Sequence, residues 1–112
     1  MAEGYRIEWA PVAQNDLDGL LEYIAARDCV DAALHVYEKL MKKIETLVSH
    51  PERCRIPPEL KRIGVSEYRE LIVSPYSVFF RIRGRRLGIV AVLDRRRDLE
   101  ELLIQRTLRQ NS

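Results

Sequence analysis

The sequence predicts an α+β domain in which a two-helix hairpin packs on a small, mostly antiparallel sheet of about four strands. Three observations predict it: an alternating strand opens the chain, two stretches with helical spacing follow, and three consecutive strands precede a last helix. The chain has 112 residues, of which 46% are apolar and 32% charged. This size and composition suit a single domain over residues 1–112.

The first half of the chain predicts one strand and two amphipathic helices. Residues 5–9 alternate apolar and polar side chains, as a half-buried strand does. Pro11 suits the first turn of a helix that is expected to end near Arg27 or Asp28, and Asp31 is the expected N-cap of the next helix. That second helix has an apolar face of Ala33, Val36, Tyr37, Leu40, Met41, Ile44, Leu47 and Val48.

Prolines end this helical pattern. Pro51, Pro57 and Pro58 begin a connection of about fifteen residues, which is long for a small domain. Residues 51–67 are therefore predicted to be either a mobile surface loop or part of a site, and the sequence leaves both possibilities open.

The second half predicts three strands and a closing helix. The strands are expected over residues 68–74, 76–83 and 87–93, with residues 84–86 as a hairpin turn. The last helix is expected to start at a cap on Asp94 or Asp98, and residues 110–112 are expected to fray. Its inward side chains are Leu99, Leu102, Leu103 and Leu108.

Alternation in the middle strand predicts two unlike sheet faces. One face receives Tyr76, Val78, Phe80 and Ile82, and the other receives Ser77, Phe79, Arg81 and Arg83. The helical hairpin is expected to cover the first face, so the second, partly basic face is expected to be free.

Charge is distributed unevenly along the chain. Residues 1–60 carry 7 Lys/Arg and 11 Asp/Glu, a net −4, whereas residues 61–112 carry 12 and 6, a net +6. Seven arginines lie between Arg81 and Arg97, with Asp94 as the one acid among them. Such a segment predicts a negatively charged partner, either a phosphate backbone or an acidic protein segment.

The sequence lacks the residues that several other classes of function require. His35 and His50 have no ligand partner at helical spacing, and the glycines form no phosphate-binding loop, so neither a metal nor a cofactor is expected. Cys29 and Cys54 form no C-x-x-C pair and are expected to be free thiols. No run reaches the roughly 18–20 apolar residues of a membrane span. With no signal sequence recognisable either, a cytoplasmic protein is expected.

The arginines are the remaining candidates for function, because their forked guanidinium groups suit phosphate and carboxylate recognition. Arg85 and Arg86 are interpreted as solvated turn residues, and Tyr68 and Tyr76 as core aromatics. The candidate target-binding residues are Arg69, Arg81, Arg83, Arg95, Arg96 and Arg97.

Four segments together resemble the RelE/ParE superfamily of type II toxin-antitoxin toxins, also labelled plasmid-stabilisation proteins. They are Tyr68-Arg69-Glu70-Leu71, Pro75-Tyr76, Phe80-Arg81-Ile82 and Val92-Leu93-Asp94-Arg95-Arg96-Arg97-Asp98-Leu99. The opening strand and helix, residues 5–17, are similar as well. The resemblance implies a helical hairpin over a small antiparallel sheet. It also implies a growth-arrest toxin that a cognate antitoxin, of the ribbon-helix-helix ParD-like kind, wraps and neutralises in a hetero-oligomer.

The superfamily has two branches, ribosome-dependent messenger-RNA endonucleases similar to RelE and DNA gyrase inhibitors similar to ParE. Relatives of the first kind have a strand arginine where Ser77 stands and a late tyrosine near Leu103. With these two missing, the resemblance favours a ParE-like inhibitor without catalysis of its own, although many relatives have His in place of Asp94. The endonuclease, with phosphate bound by Arg69, Arg81 and Arg96, remains the alternative.

Overall fold

The computed structural model describes residues 4–96 and 102–106. Its elements follow the predicted order: β1 (Arg6–Trp9), α1 (Pro11–Arg27), α2 (Val30–Glu45), α3 (Pro58–Lys61), β2 (Arg69–Val73), β3 (Tyr76–Arg83) and β4 (Arg86–Asp94). Residues 102–106 are helical. The start predicted for the last helix at Asp98, its Leu99 and Leu108, and the tail at 110–112 lie outside the described residues.

The four strands form one sheet in the order β1-β4-β3-β2. The pairs β2/β3 and β3/β4 are antiparallel, whereas β1 runs parallel to β4. The predicted mostly antiparallel sheet is therefore confirmed. Arg83 pairs with Arg86, so the hairpin turn is Gly84-Arg85 and not the predicted residues 84–86. Gly84 has φ +60°, which a two-residue turn requires at its first position and which glycine adopts without strain.

The helical hairpin covers one face of the sheet, as predicted. Tyr76, Val78 and Phe80 of β3 join a core cluster with buried residues of both long helices, among them Leu17 and Leu40. Burial of this contiguous apolar set is the main stabilising term of the domain.

Three details of α2 differ from the prediction. The helix ends at Glu45, so Leu47 and Val48, predicted on its apolar face, lie in a 3-10 turn at Thr46–Val48. The N-cap of the helix is Cys29, whose Sγ accepts a hydrogen bond from the Ala32 amide at 3.4 Å, and Asp31 lies in the first turn instead. Tyr37 is 41% exposed although its spacing placed it on the apolar face. Ala33, Leu40 and Ile44 provide the buried residues of this helix, and these smaller side chains fit against α1 and the sheet.

The face opposite the hairpin, called the second face below, is not free along its whole length. Leu60 of α3, Tyr68 and Leu103 form a second apolar cluster with β3 and β4 residues Phe79, Val90 and Ala91. This corrects the expectation of an open face. Its far end, beside the Gly84-Arg85 turn, is not covered by any of the residues that the structure describes.

The connection over residues 51–67 supplies part of that cover. It contains a short 3-10 turn at Pro51–Arg53 and α3, and it buries Pro51, Pro57 and Leu60. The Glu70 amide donates to the Arg55 carbonyl at 2.8 Å, so the connection also protects the outer edge of β2. Residues 51–60 thus pack against the sheet, whereas residues 61–67 are exposed apart from the partly buried Val65.

Within the described part of the chain, no helix has the length and apolar character needed to cross a membrane. Across residues 4–96 and 102–106, no three His, Cys, Asp or Glu side chains are grouped so that they could hold a metal ion.

Candidate binding surface

A buried carboxylate organises the second face near its centre. The Glu70 side chain is fully buried. Its Oε1 accepts from Arg55 Nε at 3.0 Å, its Oε2 accepts from Ser77 Oγ at 2.6 Å, and it forms an ion pair with Arg95. Arg95 Nη1 also donates to Ser77 Oγ at 3.0 Å. Two guanidinium groups and a hydroxyl thus compensate the cost of burying this charge.

Two of the predicted site residues, Arg95 and Arg69, donate hydrogen bonds to internal acceptors. Arg95 is 27% exposed and directs a nitrogen inward to Glu70 and Ser77. Arg69 donates to the carbonyl oxygens of Glu52 and Cys54, at 3.0 and 2.7 Å, and so anchors the connection before β2. Both guanidinium groups therefore have internal partners. Arg97 lies outside the described residues.

Arg81 and Arg83 lie at the uncovered end of the second face, as the strand alternation predicted. Arg81 is 3.6 Å from the Glu67 carboxylate and 5.9 Å from the centre of the Tyr68 ring. Together with Glu8, Arg86 and Gly88 they line a shallow cavity of about 270 Å³, called the arginine cavity below. Tyr68 itself is buried, which confirms its interpretation as a core aromatic.

Arg85 and Arg86 are exposed, as predicted, and each guanidinium group contacts another side chain. The Arg85 guanidinium lies 5.6 Å from the centre of the Tyr5 ring. Arg86 is the first residue of β4, not a turn residue, and its Nε and Nη2 donate to the Glu8 carboxylate at 3.1 to 3.2 Å.

Arg96 lies on another part of the surface, at the end of β4. Its Nε and Nη2 donate to Asp94 at 2.9 and 2.7 Å, and its guanidinium is 5.9 Å from the ring centre of Tyr76, which is buried as predicted. These hydrogen bonds to Asp94 raise the pKa of Arg96, so its charge is permanent. Arg96 borders a groove of about 690 Å³ between α1 and β4.

The groove exists because β1 is shorter than β4. β1 pairs with β4 only as far as Ile89. Beyond that point a side chain of α1 accepts a hydrogen bond from the β4 backbone. Asp16 Oδ2 accepts from the Val92 amide at 3.1 Å, and Arg106 donates to the Val90 carbonyl at 3.0 Å. Arg106 and Asp16 also form a two-pronged ion pair, with both contacts at 3.0 Å. This pair fastens helical residues 102–106 to α1.

Sequence reasoning missed Glu70, Arg55, Asp16 and Arg106 as organising residues. A signal existed for Glu70, since it is an acidic residue between Arg69 and the apolar Leu71 in a strand that must be at least half buried. Asp16 and Arg106 are 90 positions apart, so their pairing depends on tertiary structure alone.

The helical hairpin over the sheet agrees with the fold that the resemblance to the RelE/ParE superfamily implied. The family model described as ParE toxin of type II toxin-antitoxin system, parDE, matches residues 7–99. The chain therefore belongs to the ParE toxin family. A solved structure described as the chromosomal ParDE TA system from P. aeruginosa superposes with a TM-score of 0.70. It is 20% identical over 83% of this chain and 98% of that chain, a likeness that shows the fold alone. No curated protein matches the sequence.

Proposed function

We propose that this ParE family toxin binds DNA gyrase and stalls it on cleaved DNA, without catalysing a reaction itself. The observation that most directly supports this proposal is the hydrogen-bond and ion-pair network around Glu70. In an endonuclease similar to RelE, the position of Ser77 would hold an arginine free to contact a phosphate. Here the region holds a buried carboxylate that is satisfied by Ser77 and two arginines.

Among the described residues of this region there is also no histidine and no exposed tyrosine for proton transfer. Leu103, at the position of the late tyrosine, is buried in the second apolar cluster. His35 and His50 are exposed, on α2 and before the Pro51 turn, rather than on the sheet. Cleavage at a ribose needs a general base within hydrogen-bond reach of the 2′-hydroxyl. The described residues of the second face offer no histidine or tyrosine hydroxyl for this purpose beyond the buried Tyr68.

The gyrase-contacting residues are the arginines whose charge remains available at the surface. Arg83 meets this condition best, because no ion pair with another described residue holds it. Arg81 pairs with the exposed Glu67, and Arg96 pairs with Asp94 while its side chain stays 56% exposed. Arg69 and Arg95 meet the condition least well, because they donate to internal acceptors. We therefore narrow the proposed effector surface to the uncovered end of the second face and the end of β4. Arg97, next in sequence to Arg96, stays a predicted member of it.

The proposed neutralising partner is a ParD-like antitoxin, of the ribbon-helix-helix kind, in a hetero-oligomer with this chain. Exposed apolar side chains on the helical hairpin, Tyr23, Val30 and Leu34, are 59%, 65% and 51% exposed. Tyr23 also lines the groove beside α1, together with Arg27 and Arg96. An acidic, amphipathic segment that folds on binding suits this mixture of apolar and basic groups.

Induction in bacterial cells without antitoxin tests the function. The proposal predicts filamentation with a DNA damage response while translation continues, and rescue when the antitoxin is co-expressed. Prompt arrest of translation with codon-spaced cleavage of messenger RNA would instead establish the endonuclease alternative. A Ser77→Arg variant is not a suitable probe, because the larger side chain would disrupt the Glu70 network.

A further inference from the structure

The arginine cavity has an unusual floor. Gly88 of β4 pairs with Glu8 of β1 on one side and with Arg81 of β3 on the other. Two positions along the same face, Arg86 pairs in the same way with Arg6 and Arg83. Gly88 therefore lies in the middle of a three-strand block whose other five side chains are all charged. Because glycine has no side chain, the sheet backbone itself is exposed between the arginines.

No contact with a described residue requires a glycine at position 88. A Cβ built there meets none of their atoms within 4 Å, and only Gly64 and Gly84 among them have positive φ. The irregularity in the β3/β4 pairing leaves Val90, two positions from Gly88, as the extra residue, whereas Gly88 itself forms a regular pair with Arg81. Glycine weakens the interior of a strand, and it commonly marks a place where a ligand approaches the backbone closely. The vacancy left by this side chain is the second observation that indicates a ligand.

The charges around the floor favour an anion. Three arginines and one glutamate line the cavity, which leaves a net charge of +2. Glu8 is paired with Arg86, and Glu67, which is 50% exposed, lies 3.6 Å from Arg81. Among the residues that the structure describes, none forms an ion pair with Arg83. Its guanidinium is thus available to a ligand, while Glu8 and Tyr68 hold its two neighbours in place.

We propose that the arginine cavity binds a backbone phosphate of nucleic acid, with Gly88 admitting the phosphate to the sheet and Arg81, Arg83 and Arg86 contacting its oxygens. None of the described residues that line the cavity has an apolar side chain. An amphipathic acidic peptide would need apolar contacts, whereas a phosphate backbone is bound by guanidinium groups alone. The inference rests on these residues and does not depend on gyrase being the target.

The test measures binding of the purified full-length toxin to a short fluorescently labelled DNA duplex by anisotropy, over a range of salt concentrations. Arg83→Gln is expected to weaken binding about three- to tenfold and to lower the slope of log Kd against log salt by about one. Gly88→Val is expected to weaken binding comparably, because its side chain fills the floor. A valine suits a strand, so this variant keeps its fold, which a thermal melt verifies.

Lys42→Gln is the matched control, since it removes one positive charge from an exposed side chain in the last turn of α2, outside both proposed surfaces. Its Kd should stay within about twofold of the wild-type value. Competition identifies the ligand class: unlabelled duplex should displace the probe at lower concentration than ATP or a polyglutamate peptide of equal charge. Equal binding by wild type, Arg83→Gln and Gly88→Val would overturn the proposal, as would preferential binding of ATP or the peptide. If a toxin that fails to bind DNA nonetheless inhibits gyrase, the inference is lost and the proposed function stands.

Discussion

Ser77 Oγ donates a hydrogen bond of 2.6 Å to the buried Oε2 of Glu70. Superfamily members similar to RelE are expected to have an arginine at the serine position. In this chain Arg95, from beyond β4, reaches the same carboxylate and also contacts the serine hydroxyl. The region expected to be the centre of a nuclease is therefore a closed internal network, and available positive charge lies at the two ends of the sheet.

Removing the charge of Glu70 should destabilise the domain. Glu70→Gln keeps the size of the side chain but leaves Arg55 and Arg95 facing a neutral amide in a buried place. We expect a loss of about 2–3 kcal/mol in the free energy of unfolding, because both arginines are partly exposed and can regain water. Urea denaturation measures it.

Glu67→Gln is the control for this substitution, because Glu67 is half-exposed and its contact with Arg81 is long. Its effect should stay within about 0.5 kcal/mol. Similar stability of the two variants would show that the Glu70 network does not organise the second face.

The ion pair between Arg106 and Asp16 should contribute measurably to stability. A double-mutant cycle with Arg106→Ala and Asp16→Ala is expected to give a coupling energy of about 1–3 kcal/mol, because both side chains are mostly buried and doubly bonded. The same cycle on Arg27 and Asp28, which are about half-exposed and 3.4 Å apart, should give less than about 0.5 kcal/mol. Equal coupling energies in the two cycles would contradict the conclusion that the Arg106–Asp16 ion pair holds residues 102–106 against α1.

Two glycines should respond in opposite directions to alanine. Gly19 is exposed in the middle of α1 and a Cβ there meets nothing, so Gly19→Ala should stabilise the domain by about 0.5–1 kcal/mol. Gly84 has φ +60°, so Gly84→Ala should destabilise it by about 1 kcal/mol. Thermal melts of both variants, measured beside the wild type, test this contrast in sign.

The two cysteines should differ strongly in reactivity. Cys29 is exposed, whereas Cys54 is buried and its burial raises the pKa of the thiol. Less thiolate is therefore present at Cys54 at a given pH, and the reagent has less access to it. Labelling with a thiol reagent near pH 8 should modify Cys29 promptly and Cys54 only after denaturant is added. Simultaneous modification in the native protein would contradict the packing of residues 51–60.

The sequence predicted most of the local structure because hydrophobic periodicity and turn residues are local signals. The alternation of β3 correctly separated Val78 and Phe80 from Phe79 and Arg81, and Pro11 correctly marked the start of α1. What it could not predict depends on distant parts of the chain. Leu60 and Leu103 cover the second face only because two separate segments return to it.

The same limit applies to the candidate site. Arg81, Arg83 and Arg96 were recognised by residue type, whereas Arg86, which lines the arginine cavity, was interpreted as a turn residue. Composition could not separate the arginines with internal partners from those without. Arg95 and Arg69 find acceptors at Glu70 and in the connection before β2, whereas Arg83 finds none among the described residues. The importance of Gly88 became visible only when register placed it between Glu8 and Arg81.

Gyrase supercoiling by purified components tests the central claim most directly. Relaxed plasmid, gyrase and ATP are incubated with increasing toxin, and linear DNA is scored after detergent and protease treatment. We expect toxin to block supercoiling and to accumulate cleaved DNA, and prior addition of the antitoxin to restore supercoiling. Complete supercoiling in the presence of excess folded toxin would contradict the claim that this ParE family protein acts on gyrase.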